Sequence, residues 1–319
     1  MNRRNWLIAQ NNPRDSIHGV NDKFATKRRL AAHGVPVPDT LALLDDREAL
    51  GRLAWDELPD AWAVKPNHGR RGEGIVLAVE RRDDGWLRAS GCAITIAGLR
   101  AHASHILDGE FSLDGAHSDA VIIEPLIRAH SAVARLVPYG LPDIRVICFG
   151  PVPLMAMVRL PTLRSDGKAN LHQGAIGAAV DFGTGRIFRA VLDGLAIETH
   201  PDTGAQLLGF GLPHWRETVV AASRCGAALG LGYVGVDLVL DDTDGVMVLE
   251  CNAHPGLEIQ NINARGLRTR VEHAQRFLRS PDRKAPRVGL LSANPTRPGA
   301  AEAIRQIGEP SAPFQLKRA

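Results

Sequence analysis

Two apolar, β-rich runs, Tyr233–Leu240 and Val246–Cys251, flank Asp241-Asp242-Thr243-Asp244-Gly245, and this stretch constrains the fold more tightly than any other. An Asp-Gly turn between two such runs predicts a hairpin. Glu250 and Asn252 are two apart and so share a face of their strand, and folding back brings Asp237 near them. Three oxygen-bearing side chains then converge in a run that is otherwise Val, Leu and Gly. Hard oxygen ligands of this kind suit Mg²⁺ or Mn²⁺ that is also held by substrate phosphates. The plainer alternative is an ordinary hairpin with solvated acids on its outer face.

A second stretch carries complementary chemistry. Ala61–Lys65 reads as a strand, Pro66-Asn67-His68-Gly69-Arg70-Arg71-Gly72-Glu73-Gly74 as a loop, and Ile75–Val79 as another strand. Glycines let a backbone approach phosphate oxygens and present its N–H groups. A P-loop or dinucleotide fingerprint leads from strand to helix; this loop joins strand to strand and has no GxxxxGK. It predicts a flap between antiparallel strands, with Lys65 placed to reach phosphates. The alternative is a surface turn with scattered charges.

The remaining elements are read from caps, breakers and periodicity. Asn21-Asp22 caps a helix to about His33, ended by Gly34 with Pro36 and Pro38 beyond, and Lys23 and Lys27 share one face of it. A strand (Thr40–Leu44) and a short helix (Arg47–Asp56) follow. His102 and His105 have helical metal-ligand spacing, but no matching cysteine or carboxylate accompanies them or His117, so a solvated helix face is expected. Val121–Ile127 is a buried strand interrupted by Glu124-Pro125. Asp143–Gly150 and Val152–Arg159 form a hairpin whose Arg145 and Arg159 can bind carboxylate or phosphate bidentately. Ala179–Arg186 and Val191–Thr199 read as β structure, and 213–230 and 265–278 as helices. Residues 281–319, Pro-rich with a basic end, are expected to be a flexible tail.

Composition narrows the function classes. The 319 residues are 45% hydrophobic and 23% charged, with 38 basic and 35 acidic residues, a balance that gives no charge-based case for nucleic acid. Cys92, Cys148, Cys225 and Cys251 lie far apart without CxxC spacing and are expected to be buried reduced thiols. No apolar run reaches the roughly 20 residues of a membrane span, and the first residues lack the apolar core of a signal peptide, so a cytoplasmic location is expected.

Taken in order, these motifs resemble the ATP-grasp superfamily. Glu250-x-Asn252-x-x-Pro255-Gly256, with Asp237 thirteen residues before the Glu, is similar to the family's metal-binding end. Lys65-Pro66-x-x-Gly69-x-x-Gly72-x-Gly74-Ile75 is similar to its glycine-rich flap, and Asp22-Lys23 with Lys27-x-x-Leu30 and Gly34-Val35-Pro36-Val37-Pro38 to the opening of its nucleotide-binding lobe. Asp143-x-Arg145, Ala156-Met157-x-Arg159 and Asn170-Leu171-His172-x-Gly174 resemble the alpha-L-glutamate ligase-related and sugar-transfer-associated branches.

The resemblance implies an α+β ATP-grasp fold of two α/β lobes clasping ATP: a short segment over 1–20, an N-lobe over 21–125 and a C-lobe over 126–280. The usual N-terminal pre-ATP-grasp domain is expected to be much reduced or absent, its place taken by a partner subunit or a homo-oligomer. It further implies that Asp237, Glu250 and Asn252 hold two Mg²⁺ (or Mn²⁺) ions. Lys23, Lys65, His68, Gly69, Gly72, Gly74, Glu124, Leu126 and Ile127 would bind the nucleotide, and Arg145, Arg159, Asn170 and His172 would serve catalysis. His172 is equally open to a structural role. The implied reaction joins a small-molecule or peptide carboxylate to an amine through an acylphosphate, with glutamate or another amino acid added. Gln173 and Ala175 replace the Arg and Gly of that branch's Asn-Leu-His-Arg-Gly-Gly run. A phosphotransferase and a non-catalytic ATP-binding module of the same fold are the alternatives.

Overall fold

A computed structural model describes residues 3–69, 72–112 and 118–280. Arg70, Arg71, His117 and the expected tail over 281–319 lie outside the described residues. The described chain packs as two units, one built from residues 21–28 and 37–127, the other from 3–20, 29–36 and 128–280. The division is not one cut, because residues 29–36 return to the larger unit.

The smaller unit holds a six-stranded antiparallel sheet. Its strands are β1 (Ala42–Leu44), β2 (Trp62–Pro66), β3 (Val76–Arg82), β4 (Gly85–Arg88), β5 (Ala93–Thr95) and β6 (Val121–Pro125), in spatial order β1-β6-β2-β3-β4-β5. Alternation along β2 sends Trp62 and Val64 to one face and Ala63 and Lys65 to the other. The first face packs on the helices Arg47–Arg52 and Ile96–Leu107, burying Leu50, Leu99, Ala103 and Ile106 with Trp55, Trp62 and Trp86. Aromatics are only 5% of the chain, yet three of its five tryptophans gather here. Trp62 meets Trp86 edge-on at 5.3 Å between centroids and Trp55 at 6.0 Å, contacts worth about 0.5–1.5 kcal/mol each beyond their burial. β6 lies between β1 and β2, and Pro125 falls at its last residue, where the ladder ends against Trp62.

The larger unit holds a seven-stranded antiparallel sheet. Its strands are β7 (Asp143–Phe149), β8 (Val152–Leu160), β9 (Ile176–Val180), β10 (Ile187–Leu192), β11 (Leu195–Ile197), β12 (Tyr233–Asp241) and β13 (Gly245–Asn252), in spatial order β11-β10-β9-β8-β7-β12-β13. The helix Trp215–Leu229 packs on β7, β8, β12 and β13 and ends at Gly230, whose φ is +69°. The helix expected over 265–278 forms over Arg268–Arg279, and a short helix over Glu258–Asn263, not expected, precedes it. The N-terminal stretch, read as polar with one short element, forms helices Arg3–Asn11 and Arg14–Gly19. Asn12 between them is buried; its amide donates to Tyr233 O (2.8 Å) and accepts from Tyr233 N–H (2.8 Å). Cys148, Cys225 and Cys251 are buried thiols as expected, whereas Cys92 is exposed, in the turn joining β4 to β5.

Candidate functional site

The expected hairpin β12–β13 forms, with Asp237 opposite Glu250 and Gly235 opposite Asn252. A bulge follows: Leu238 pairs with Val248, leaving Leu249 outside the ladder. Facing residues share a side of the sheet, so the bulge moves Glu250 off the side of buried Val248 and onto that of Asp237. Gly235 lacks a Cβ where one would lie 2.6 Å from Pro255, which lets the Asn-x-x-Pro turn fold back over the strand.

Asp237 is buried and sits under two guanidinium groups. Arg145, its partner across β7, grips it with Nε (2.5 Å to Oδ1) and Nη2, and Arg159 Nη2 reaches Oδ2 at 3.1 Å. Arg159 in turn grips Asp143 with Nε at 2.5 Å and with Nη2. Asn252 Nδ2 lies 3.4 Å from Asp237 Oδ2. Burial works against the Asp237 charge, but the charges of Arg145 and Arg159 outweigh it and hold this carboxyl below its ordinary value. Asp143 differs: burial, helped by the Asp237 charge, pushes it up to about 6 despite Arg159. Burial opposes the charge of both arginines, and Asp237 more than restores it.

The expected ligands fit a hard cation in donor type, since Asp237, Glu250 and Asn252 offer oxygens from one hairpin face and Glu250 is exposed. Arg145 and Arg159 were read as binding substrate carboxylate or phosphate. Here they bind the chain's own carboxylates, Asp237 and Asp143.

In the smaller unit Glu124 is buried and accepts two lysines, Lys27 on Oε1 and Lys65 on Oε2, each at 2.6 Å. Lys65 reaches it because Ala63 pairs with Glu124 and Lys65 with Ile122, placing the two charged side chains on the face opposite the tryptophans. Lys27 also donates to Thr40 Oγ1 (2.6 Å) and Asp39 O (2.9 Å), and burial lowers its pKa against the pull of Glu124. Lys23 and Lys27 were read as sharing a face, yet their ammonium groups go to different places. Lys23 Nζ donates to Asn67 O (3.1 Å) and to Gly69 O, in the glycine-rich loop.

The loop itself is held at several points. Gly69 forms an isolated β-bridge with Ser112, and Gly72 is exposed. Gly74 has φ +73°, and a Cβ there would lie 2.7 Å from the Phe111 ring. His102 was expected on a solvated helix face. It is half-buried instead, with Nε2 2.8 Å from Gly74 O and its ring 5.5 Å from Phe111; exposed His105 fits the expectation. Leu126 and Ile127 are half-buried beyond β6, and the Leu126 N–H donates to Ala61 O at 3.3 Å.

Asn170 and His172 are not brought to the arginine cluster by any hydrogen bond among the described residues. Asn170 Oδ1 caps the turn Leu171–Gln173 by accepting the His172 N–H (3.0 Å), and the His172 and Gln173 side chains are exposed. Three residues of these networks were not assigned roles by sequence reasoning. Asp143 carried a signal, lying two before Arg145 on one strand face. Lys27 carried its helical spacing. Asp119, which binds His68, carried none.

The sequence matches the model of the sugar-transfer associated ATP-grasp family over residues 2–276. The chain belongs to that family. Its two antiparallel sheets with flanking helices are thus those of an α+β ATP-grasp fold. Among curated relatives, this ATP-grasp chain is 28% identical over 250 residues to a probable alpha-L-glutamate ligase of Xanthomonas oryzae pv. oryzae, covering 77% of this chain and 61% of the relative. It is 26% identical over 247 residues to the tetrahydromethanopterin:alpha-L-glutamate ligase of Methanococcus maripaludis, covering 77% and 62%. It thus spans about three fifths of the length of these relatives. A solved structure of D-alanine–D-alanine ligase from Bacillus anthracis with ATP superposes with a TM-score of 0.44 at 19% identity, covering 82% of this chain and 62% of that one. Among the described residues, no helix is long and apolar enough to cross a membrane.

Proposed function

We propose that this ATP-grasp chain is an ATP-dependent carboxylate–amine ligase. One observation carries the reading: the two sheets present charge clusters of opposite bias. In the smaller unit, Lys27 and Lys65 share the buried Glu124 and Lys23 donates into the glycine-rich loop, where the carboxylate of Asp119 is taken up by His68. In the larger unit, Asp143, Asp237 and Glu250 accompany two guanidinium groups. The first suits polyphosphate and the second suits a divalent cation.

Lys65, Lys23 and the loop backbone hold the phosphates of ATP. Asp237, Glu250 and Asn252 would hold Mg²⁺ or Mn²⁺, two ions in the fullest form of the reading, and a metal held there would supply positive charge against the transferring phosphoryl group. Arg145 and Arg159 keep Asp237 ionised, and Asp143 keeps Arg159 turned toward it. A substrate carboxylate oxygen attacks the γ-phosphorus and ADP leaves, giving an acylphosphate. The amine nitrogen then attacks the acyl carbon, phosphate leaves, and the amine loses a proton as the amide forms. The glutamate ligase relatives favour an amino acid as the amine. Exposed Gln173, where the resembling branch has Arg, favours an amine substrate other than glutamate itself.

The test is release of ADP and phosphate from MgATP over a panel of carboxylates, with and without amino acids and amines, with Glu250→Ala as the control. Release that needs an acid and an amine together and is lost in the control supports the ligase. Release with a single acceptor identifies a phosphotransferase, and MgATP binding with no release across the panel identifies a binding module.

A further inference from the structure

His68, in the glycine-rich loop, is held by a buried carboxylate from outside the loop. Its backbone N–H donates to both oxygens of Asp119, at 3.1 and 3.0 Å, and its Nδ1 lies 2.7 Å from Asp119 Oδ1. The peptide carbonyls on either side, of Asn67 and Gly69, both accept from Lys23 Nζ. Asn67 is also pinned, its N–H bonded to Ala120 O (2.8 Å) and its Oδ1 to Phe24 N–H (2.8 Å).

Asp119 is placed with equal definition. Its N–H donates to Leu107 O (3.1 Å) at the end of one helix, and Oδ1 accepts the Ala120 N–H (2.8 Å) just before β6. Its side chain is 1% exposed, while that of His68 is 39% exposed. An ionised carboxylate only accepts hydrogen bonds, so the imidazole must donate from Nδ1. That donation orients the ring and leaves Nε2 with no hydrogen-bond partner among the described residues. This is the arrangement of a working imidazole, a buried carboxylate behind a half-exposed ring.

We propose that Asp119 is a positioning residue that presents His68 Nε2 to the polyphosphate of the bound nucleotide, a proposal that rests on the ATP-binding reading above. As an imidazolium, Nε2 donates a charge-assisted hydrogen bond to a phosphate oxygen. Lys23 and Lys65 flank the same loop, so an anion is the partner this position suits. The loop's ordinary means of holding phosphate is its backbone, and the dyad adds a side-chain donor whose aim is set from outside the loop.

Two substitutions separate this role from anchoring the loop. His68→Asn puts an amide N–H where Nδ1 was, keeping the bond to Asp119, but has nothing in the place of Nε2. Asp119→Asn keeps the ring but removes the charge that supports donation from both ring nitrogens. Calorimetric titration of the full chain with MgATP and with AMP is the readout, alongside ¹⁵N NMR of the His68 ring. We expect His68→Asn to weaken MgATP by about tenfold with AMP affinity and Tm unchanged. We expect Asp119→Asn to weaken MgATP and to leave the His68 ring of the MgATP complex with one proton instead of two, read by ¹⁵N NMR. MgATP binding by His68→Asn at wild-type strength, or equal weakening of MgATP and AMP, overturns the proposal and leaves the dyad as an anchor. Failure of the wild-type chain to bind MgATP overturns the nucleotide reading, and this proposal with it.

Discussion

The two sheets each bury a carboxylate against two cations, and they do it with different chemistry. Glu124 shares its oxygens between the ammonium groups of Lys27 and Lys65, one per oxygen. Asp237 meets guanidinium groups, with Arg145 gripping both of its oxygens and Arg159 shared with Asp143. An ammonium is a compact point charge on a flexible stem, whereas a guanidinium is a rigid planar fork. The lysine cluster can therefore release a cation toward an incoming anion without losing its carboxylate's other partner. The arginine cluster is a locked frame whose strand-to-strand geometry depends on every member. One suits a ligand that arrives and leaves, and the other suits holding the Asp237 carboxylate, the proposed metal ligand, in place.

The most severe way to break this contrast is Asp237→Asn. It leaves two buried guanidinium groups facing a neutral amide, with an expected cost of about 3–5 kcal/mol in urea unfolding. The matching change, Glu124→Gln, leaves Lys27 and Lys65 with Thr40, Asp39 and solvent, and the expected loss is smaller, roughly 2 kcal/mol. Equal losses would erase the distinction. Exchanging the cations sharpens it. Arg145→Lys cannot reproduce the bidentate grip and is expected to cost about 1.5 kcal/mol, while Lys65→Arg is expected to cost under about 1 kcal/mol in stability yet weaken MgATP binding severalfold.

The smallest expected effect is in pH dependence, and the clusters differ there too. Asp143 has a raised pKa, about 6 against an ordinary 3.8, so across that window the folded chain holds more protons than the unfolded one. Its contribution to stability therefore falls as pH rises through the window. Lys27 has a pKa lowered from 10.5, so its buried charge is a cost that shrinks as pH rises toward that value. Urea unfolding in EDTA, wild type against Asp143→Asn between pH 4 and about 6 and against Lys27→Met in the alkaline range, isolates each slope. A reversed sign in either difference contradicts the assigned cause.

Much of this was legible in the sequence where a local rule reported it. The strand read over Ala61–Lys65 forms over Trp62–Pro66, and the Asp-Gly turn set the hairpin that brings Asp237 to Glu250. The bulge at Leu249 was not legible, because one residue outside a ladder leaves no periodic trace in so short an apolar run. Nor was the destination of the guanidinium groups. Spacing shows that Arg145 and Arg159 can grip a carboxylate, but only the pairing of β7 with β8 and β12 decides that the carboxylate is the chain's own. His102 was misread for a related reason. Its partner, the Gly74 carbonyl, is a backbone group and has no signature in side-chain composition.

Asn12 bears on how such a chain assembles. Its amide is bonded to both N–H and C=O of Tyr233, 221 residues later, and more weakly to Ala253 O at 3.3 Å. On a ribosome, the segment that braces the hairpin's base emerges long before the hairpin does. Contacts so distant along the chain carry a loop-closure cost that only the rest of the sheet can offset. The seven-stranded sheet is then expected to stand largely complete before its brace engages, with the end of the hairpin that carries Asp237, Glu250 and Asn252 among the last parts to become rigid.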